Sequence, residues 1–425
     1  MSRTSISLAG HPRAYPLLWG GTASANLADG ISLAVLPLLA AAITRDPALV
    51  AGLVVAQRLP WLVFVLFSGV IVDRFDRRML LVAGNVLRFV ALGGMAVGLG
   101  FGVRELWLLY AVAFVLGTAE TVVDNASLAI LPELVRRERT ADANGRLFAT
   151  QAILNELVGP PLGGLIFAVS TLAAYASGSA AFLLAAAVYA LLPRRVKEVD
   201  AAPAQPVFRA LREGMRWFLR SPMLILMSST AATINFMTSA AGAVLVLLSQ
   251  DRLGLTDAGY GILLAAGAVG GIPAGLLGPA IIRRIGEGRV IVGATLFAGL
   301  AYLIGALTTS PFVFGFGVLV EGFCFTLSNI VVITLRQHIV PNALLGRVTS
   351  VYRFLAVGAM PLGALVGGLV ARGFGVTGPF WMAAVGLVVL SIVVAPFLRT
   401  SRIRALPAGD PVVEDDPPVP GAAIQ

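Results

Sequence analysis

Long apolar runs separated by short polar breaks occupy the chain from residue 16 to residue 398. About 20 predominantly apolar residues in a helix cross the hydrocarbon core of a bilayer. Twelve such runs can be read: 16–43, 48–72, 79–101, 106–131, 147–170, 173–193, 223–249, 257–281, 290–308, 311–335, 348–371 and 377–398. The pattern predicts an all-α membrane protein. The first run has the outline of a secretory signal, with Arg3 and Arg13 before it and Ala40, Ala41 and Ala42 near its end. It is too long for a signal's hydrophobic region and it carries Asn26 and Asp29, so it reads as a retained helix.

The connections are short except in the middle, at 194–222. There Ala201-Ala202-Pro203-Ala204-Gln205-Pro206 precedes a stretch in which Phe208, Leu211, Met215 and Phe218 recur at helical spacing. Arg209, Arg212, Arg216 and Arg220 take another face. This predicts an amphipathic helix near 207–220, suited to a membrane interface and also serving as a linker. Beyond Ala405 the chain is rich in proline and acid (Asp410, Glu414, Asp415, Asp416), which predicts a disordered tail. The chain therefore divides into an N-terminal tail (1–15), six helices (16–193), a linker (194–222), six more helices (223–398) and a tail (399–425). The two sets of six read as pseudo-symmetric bundles. A shift of 209 places Asn26 on Asn235 and Gly69 on Gly278. A shift of 201 places Glu120 on Glu321, Arg146 on Arg347 and Pro160 on Pro361. Repeated halves around a central site are a common transporter design.

Composition agrees with this reading. The chain is 58% hydrophobic and 12% charged, too few charges to cover a soluble surface. The net charge of +9 matters less than its distribution. Counted over alternate connections, 24 of the 31 basic residues fall on one side, 4 on the other and 3 within the runs. The positive-inside rule then predicts that both termini are cytoplasmic. Nucleic acid is not an expected partner; the lipid bilayer is. With one cysteine, Cys324, and two histidines, His11 and His338, no disulfide, metal site or bound cofactor is expected. There is no His-Glu-x-x-His, no Gly-x-Ser-x-Gly and no phosphate-binding loop with a lysine, so an enzyme is not expected.

Eight charged residues interrupt the apolar runs: Asp29, Arg58, Arg88, Glu120, Asp124, Glu156, Glu321 and Arg353. Charge at mid-bilayer is costly, so each must face a partner or water. Asp29 and Arg58 lie at about one depth, near 20 Å at 1.5 Å per residue, on neighbouring helices, which makes them candidates for a pair. Arg88 can reach Glu120 or Asp124. Arg353 is near enough to a helix end to snorkel. Acids outnumber bases here, so at least two carboxyls lack a basic partner. Such groups are suited to carry protons, with Glu120 first and Asp29, Glu156 and Glu321 behind it. Protonated hydrogen-bond donors and ion pairs that only join helices are the alternatives. Asn26, Asn125, Asn235 and Asn329 fall in the first, fourth, seventh and tenth helices and are candidates for lining one central cavity. Glycines four apart at Gly159–Gly163, Gly267–Gly271–Gly275 and Gly363–Gly367 read as close helix packing.

Between the second and third runs stands Gly69-Val70-Ile71-Val72-Asp73-Arg74-Phe75-Asp76-Arg77-Arg78. In this position it resembles motif A of the major facilitator superfamily, with Asp76 where many members have Gly. Gly159-Pro160-Pro161-Leu162-Gly163-Gly164 resembles the antiporter motif of exporters in that superfamily. Leu131-Pro132-Glu133-Leu134-Val135, with Glu120 and the hairpin, resembles the branch of enterobactin-type siderophore exporters and macrolide efflux proteins.

The resemblance implies a twelve-helix transporter in a bacterial cytoplasmic membrane, opening to its two sides by alternating access. It implies that Gly69, Asp73, Arg74, Arg77 and Arg78 form a conformational gate. In that gate Asp73 faces the start of the eleventh helix near Gly346 to Thr349, and Arg77 pairs with Asp124. The expected activity is proton-driven export of a small amphipathic compound by a monomer, with the proton gradient as energy source and no cofactor. A facilitator or importer, or a lysophospholipid transporter, is the alternative on the same fold.

Overall fold

In the computed structural model, residues 14–136, 139–193 and 207–398 are described, with side chains at all of these except 64–70, 73, 207–211, 342 and 343. The described residues are almost entirely helical. The helices are α1 (Ala14–Ile43), α2 (Pro47–Arg74), α3 (Arg77–Gly100), α4 (Leu106–Leu134), α5 (Thr140–Val169) and α6 (Thr171–Ala190). There follow α7 (Val207–Arg220), α8 (Pro222–Asp251, broken at Ala243 and Val244), α9 (Asp257–Ile285) and α10 (Glu287–Leu307). Last come α11 (Pro311–Ile339), α12 (Asn342–Phe374) and α13 (Gly378–Val394). Ten of the described helices are long and apolar enough to cross a bilayer; Pro47–Val63 of α2 and all of α13 are shorter apolar stretches. The tails predicted at 1–15 and 399–425 lie outside the described residues, except for Ala14 and Tyr15, which begin α1.

Helix ends follow local chemistry. Asp46, Asp76, Ser170, Ser221 and Thr256 each cap a helix by accepting a backbone N–H, and Pro47 and Pro222 occupy first turns. Asp76, the departure from motif A, thereby has a local role: its Oδ1 accepts from Met79 N at 2.9 Å and starts α3. Gly286 and Gly375 leave α9 and α12 at φ of 91° and 83°, a conformation that favours glycine.

The helices before α7 pack among themselves: α1 on α5 and α6, α2 on α4, and α3 on α4 and α6. Those after it do the same, with α8 on α12, α9 on α11, and α10 on α11 and α13. The two groups meet along two main seams, α2 against α12 and α5 against α9. Glycine makes the seams close. A Cβ on Gly164 would stand 2.6 Å from the Asp257 carbonyl oxygen, and one on Gly261 2.4 Å from that of Pro160. Within the first group, Gly159 lies against Gly30 and Gly163 against Ile31. Gly159, Pro160, Gly163 and Gly164 are all buried and act here as packing residues. Large apolar side chains such as Val169, Leu276 and Phe312 stand exposed on the outside, as a lipid-facing belt requires.

A helix does form at Val207–Arg220, and the described part of its apolar face turns to protein. Phe218 is buried and Met215 partly so, in a cluster with Leu224, Met227, Val348 and Val351. Gly214 abuts the Arg347 backbone, Glu213 pairs with Arg347, and Arg212, Arg216 and Arg220 are exposed.

Candidate functional site

A cavity of about 710 Å³ opens between the two groups of helices. Its walls come from α1, α2, α4 and α5 on one side and from α8, α10, α11, α12 and α13 on the other. It runs from mid-bundle towards the end where α1 starts and α2, α4 and α11 finish, the end rich in arginine. The opposite end is closed. There Arg45 pairs with Asp251 at 3.4 Å and donates to Gln250 at 2.7 Å, and Arg372 pairs with Asp46 at 3.4 Å. The Gly164–Asp257 and Gly368–Ala51 contacts lie towards the same end.

The cavity gathers most of the polar residues expected of it. Asn26, Asn125, Asn235 and Asn329 all line it, as do Arg58, Glu120, Asp124 and Glu321. Asn26 Nδ2 donates to the Thr22 carbonyl at 2.9 Å and Asn235 Nδ2 to that of Ala356 at 2.8 Å. The Tyr302 hydroxyl donates to Glu321 Oε1 at 3.5 Å. Glu120 and Asp124, one helical turn apart on α4, have no hydrogen bond or ion pair with a described residue. They interact electrostatically with each other and Asp124 does so with Arg88 and Arg353.

Five expected placements are corrected. Asp29 pairs with Arg88 at 3.2 Å, not with Arg58, and it does not line the cavity; Arg88 in turn makes its ion pair with Asp29 and not with Glu120 or Asp124. Equal depth does not choose a partner: α1 packs on α4 and α6 more than on α2, so Asp29 turns into the first group of helices. There the buried Arg88 guanidinium also lies 5.2 Å from the Phe182 ring centre. Arg77 pairs with Glu133 and donates to the Ala129 carbonyl at 2.8 Å, not with Asp124. Asp124 lies nine residues further from that helix end than Glu133, about 13 Å along α4, and is out of reach. Glu156 is exposed and absent from the cavity wall. It sits in a π-helical stretch, Ala152–Val158, where the carbonyls of Leu154 and Asn155 press on Gly30 and leave Glu156 outward. Arg353 does not reach out to a helix end; it lines the cavity 5.7 Å from the Trp61 ring centre.

The hairpin itself is tied down by Arg77 on α4 and by Arg78, which donates to the Ala190 carbonyl at the end of α6. Arg74 is exposed. Asp73 and Gly69 belong to α2, and their surroundings lie outside the described side chains. Arg336, Trp61, Gln151 and Tyr352 also line the cavity and were not expected from sequence. Arg336 reads as a loop residue because the apolar run ends before it, whereas α11 continues to Ile339. Trp61 and Tyr352 are apolar enough to pass for lipid-facing or core residues.

A profile of the transmembrane secretion effector family matches residues 11–415. The chain belongs to that family of major facilitator transporters. It is thus a multi-pass membrane transporter and not an enzyme. Among relatives, it is 28% identical over 408 residues to the multidrug efflux pump Tap of Mycolicibacterium fortuitum, covering 90% of this chain and 94% of that one. It is 26% identical over 313 residues to the enterobactin exporter EntS of Escherichia coli O6:H1, covering 72% and 73%. The fold matches a crystal structure of a point mutant of the nucleoside transporter NupG with a TM-score of 0.76 at 14% identity, covering 91% and 100%. Transporters named as an efflux pump and an exporter thus resemble this chain along most of its length, and the resemblance to that branch stands.

Proposed function

We propose that the protein is a proton-coupled exporter of small amphipathic organic molecules in a bacterial cytoplasmic membrane. The observation that carries this reading is the pair Glu120 and Asp124, carboxyls without an ion-pair partner in a cavity open at one end only. In this reading twelve helices span the bilayer in two six-helix halves, and the arginine-rich end with both termini is cytoplasmic. The cavity then faces the cytoplasm, and rocking of the halves about the α2–α12 and α5–α9 seams turns it outward. Its volume suits a drug-sized molecule, and its wall mixes the polar groups above with Met227, Ile234, Phe325 and Met360. The relatives named as a multidrug efflux pump and an enterobactin exporter support the direction and the substrate range.

Each cycle would carry a proton inward on Glu120 or Asp124, with Glu321 as a further carrier. One charge crossing 100 mV supplies about 2.3 kcal/mol. The motif A hairpin acts as the gate. In the inward-open state Arg77 is anchored to Glu133, and Glu213 of α7 holds Arg347 near the start of α12. In the outward-open state Asp73 would take the N-terminus of α12, where the helix dipole favours an anion.

Proteoliposomes with an internal pH dye test the coupling. Adding a macrolide or a siderophore to the cytoplasmic face should release protons there with wild-type protein, and Glu120→Gln should lose that release. Transport by Glu120→Gln with unchanged pH dependence would remove Glu120 from the mechanism. Equal counterflow with and without a proton gradient would favour a facilitator.

A further inference from the structure

Three guanidinium groups line the cavity without a carboxylate partner. Arg336 lies three residues from the end of α11, about 5 Å in from the arginine-rich end. Arg353 lies eleven residues into α12, about 16 Å in. Arg58 lies sixteen residues from the end of α2, about 24 Å in. They form a graded series from mouth to floor. None of the three makes an ion pair or a hydrogen bond with a described residue, and Nε of Arg336 is buried with no hydrogen-bond partner.

What holds two of them is aromatic. Arg353 stands 5.7 Å from the Trp61 ring centre and Arg336 stands 4.7 Å from that of Tyr352. A ring face steadies a guanidinium and leaves its N–H edge free to donate. Arg77, at the start of α3, is by contrast held by a carboxylate and a carbonyl, those of Glu133 and Ala129, and Arg88 by the carboxylate of Asp29. All three cavity arginines have donors to spare, and two of them, Arg336 and Arg353, are held against rings. The cavity is also divided by charge. Glu120 and Asp124 occupy the α4 wall, and Glu321 lies deep on α11, eighteen residues from its end. The cations stand on α2, the outer turn of α11 and α12. Val357, Met360 and Phe325 lie on the cation-bearing helices α11 and α12 and supply an apolar surface.

We propose that the transported molecule carries an anionic group, a carboxylate, sulfonate, phosphate or phenolate, which Arg353 binds with help from Arg58. Arg336 at the mouth draws it in, and the apolar body lies on the α11–α12 surface. Guanidinium donors meet such groups with paired charge-assisted hydrogen bonds. This deepens the exporter reading by naming the substrate class, and it rests on that reading only for the direction of movement.

The test is equilibrium binding to the purified full-length protein in lipid nanodiscs, with no gradient. The probes are naphthalene-2-sulfonate and its trimethylammonium counterpart, a cation with the same ring system. The wild type should bind the sulfonate at least about tenfold more tightly, a difference of the size charge-assisted bonds give. Arg353→Gln and Arg58→Gln should each weaken sulfonate binding about tenfold, and Arg353→Lys less, because the ammonium keeps the charge but not the planar fork. In buffer alkaline enough for Asp124 to have given up its proton, Asp124→Asn should tighten it about threefold by removing an opposing charge. Arg104→Gln, an exposed residue at the closed end, should change nothing. Thermal unfolding of each variant verifies folding, and if Arg353→Gln does not fold, Arg58→Gln and Asp124→Asn decide. Tighter binding of the cation, or sulfonate affinity unmoved by Arg58→Gln and Asp124→Asn, would overturn the proposal. Failure of the exporter reading shows elsewhere, as absent proton release in the flux assay with sulfonate binding intact.

Discussion

Asp29 and Arg58 stand at one depth, yet only one of them is committed to an ion pair. Arg88 is fully buried and Asp29 is its only ion-pair partner among the described residues, so removing the acid strands a cation in the first group of helices. Breaking a buried pair from one side costs about 3–5 kcal/mol. Asp29→Asn should therefore lower the thermal unfolding temperature in detergent sharply, whereas Arg58→Gln should leave it nearly unchanged. Equal effects would mean that Arg58 has a structural partner after all. A smaller loss belongs to Asp76, whose side chain caps α3. Asp76→Ala should cost about 1 kcal/mol, the usual value of an N-cap, and should spare ligand binding. Asp73→Asn, three residues earlier, should slow the transport cycle while leaving affinity intact, measured as flux against equilibrium binding. Lost affinity with normal cycling would move Asp73 from the gate to the site.

Helices α5 and α9 meet through backbone on backbone, with Gly164 and Gly261 leaving no room for a side chain. Gly164→Val would wedge this seam apart at the closed end, so it should raise the reactivity of a cysteine placed beside Gln250, in a Cys324→Ser background, towards an impermeant maleimide. Unaltered labelling would mean that the seam is not what keeps that end shut. The same elements show what sequence could and could not yield. The helices themselves were legible because bilayer thickness imposes a minimum length on each apolar run. The asparagines of the cavity were legible because amides are rare in such runs. Ion-pair partners were not, since they depend on how each helix is rotated about its axis: Asp29 could face α2 or α3 at equal depth. Glu156 was misassigned because nothing in Ala152–Val158 announces a π-helical stretch. Arg336 was missed because hydropathy ends a helix where apolar residues stop, and α11 continues one turn further.

In the proposed alternating-access cycle the two seams are the lines about which the two groups of helices rock around the charged cavity. The closed end is held by two kinds of contact that respond differently to the medium. The glycine contacts are van der Waals in nature and indifferent to ions. The Arg45–Asp251 pair is exposed and the Arg372–Asp46 pair is exposed on its arginine side, and surface pairs contribute about 0.2–1 kcal/mol each. Their attraction is screened as ionic strength rises, with the Debye length falling to about 3 Å at 1 M salt. The end that we place outside the cell thus carries a built-in ionic rheostat. In a dilute medium the exterior gate is held more firmly; in brine it loosens by up to about 2 kcal/mol, a shift of about thirtyfold in the balance of the two states. Under the proposed orientation and cycle, a cell moved from fresh to salty surroundings would find this transporter resting more often with its cavity turned outward.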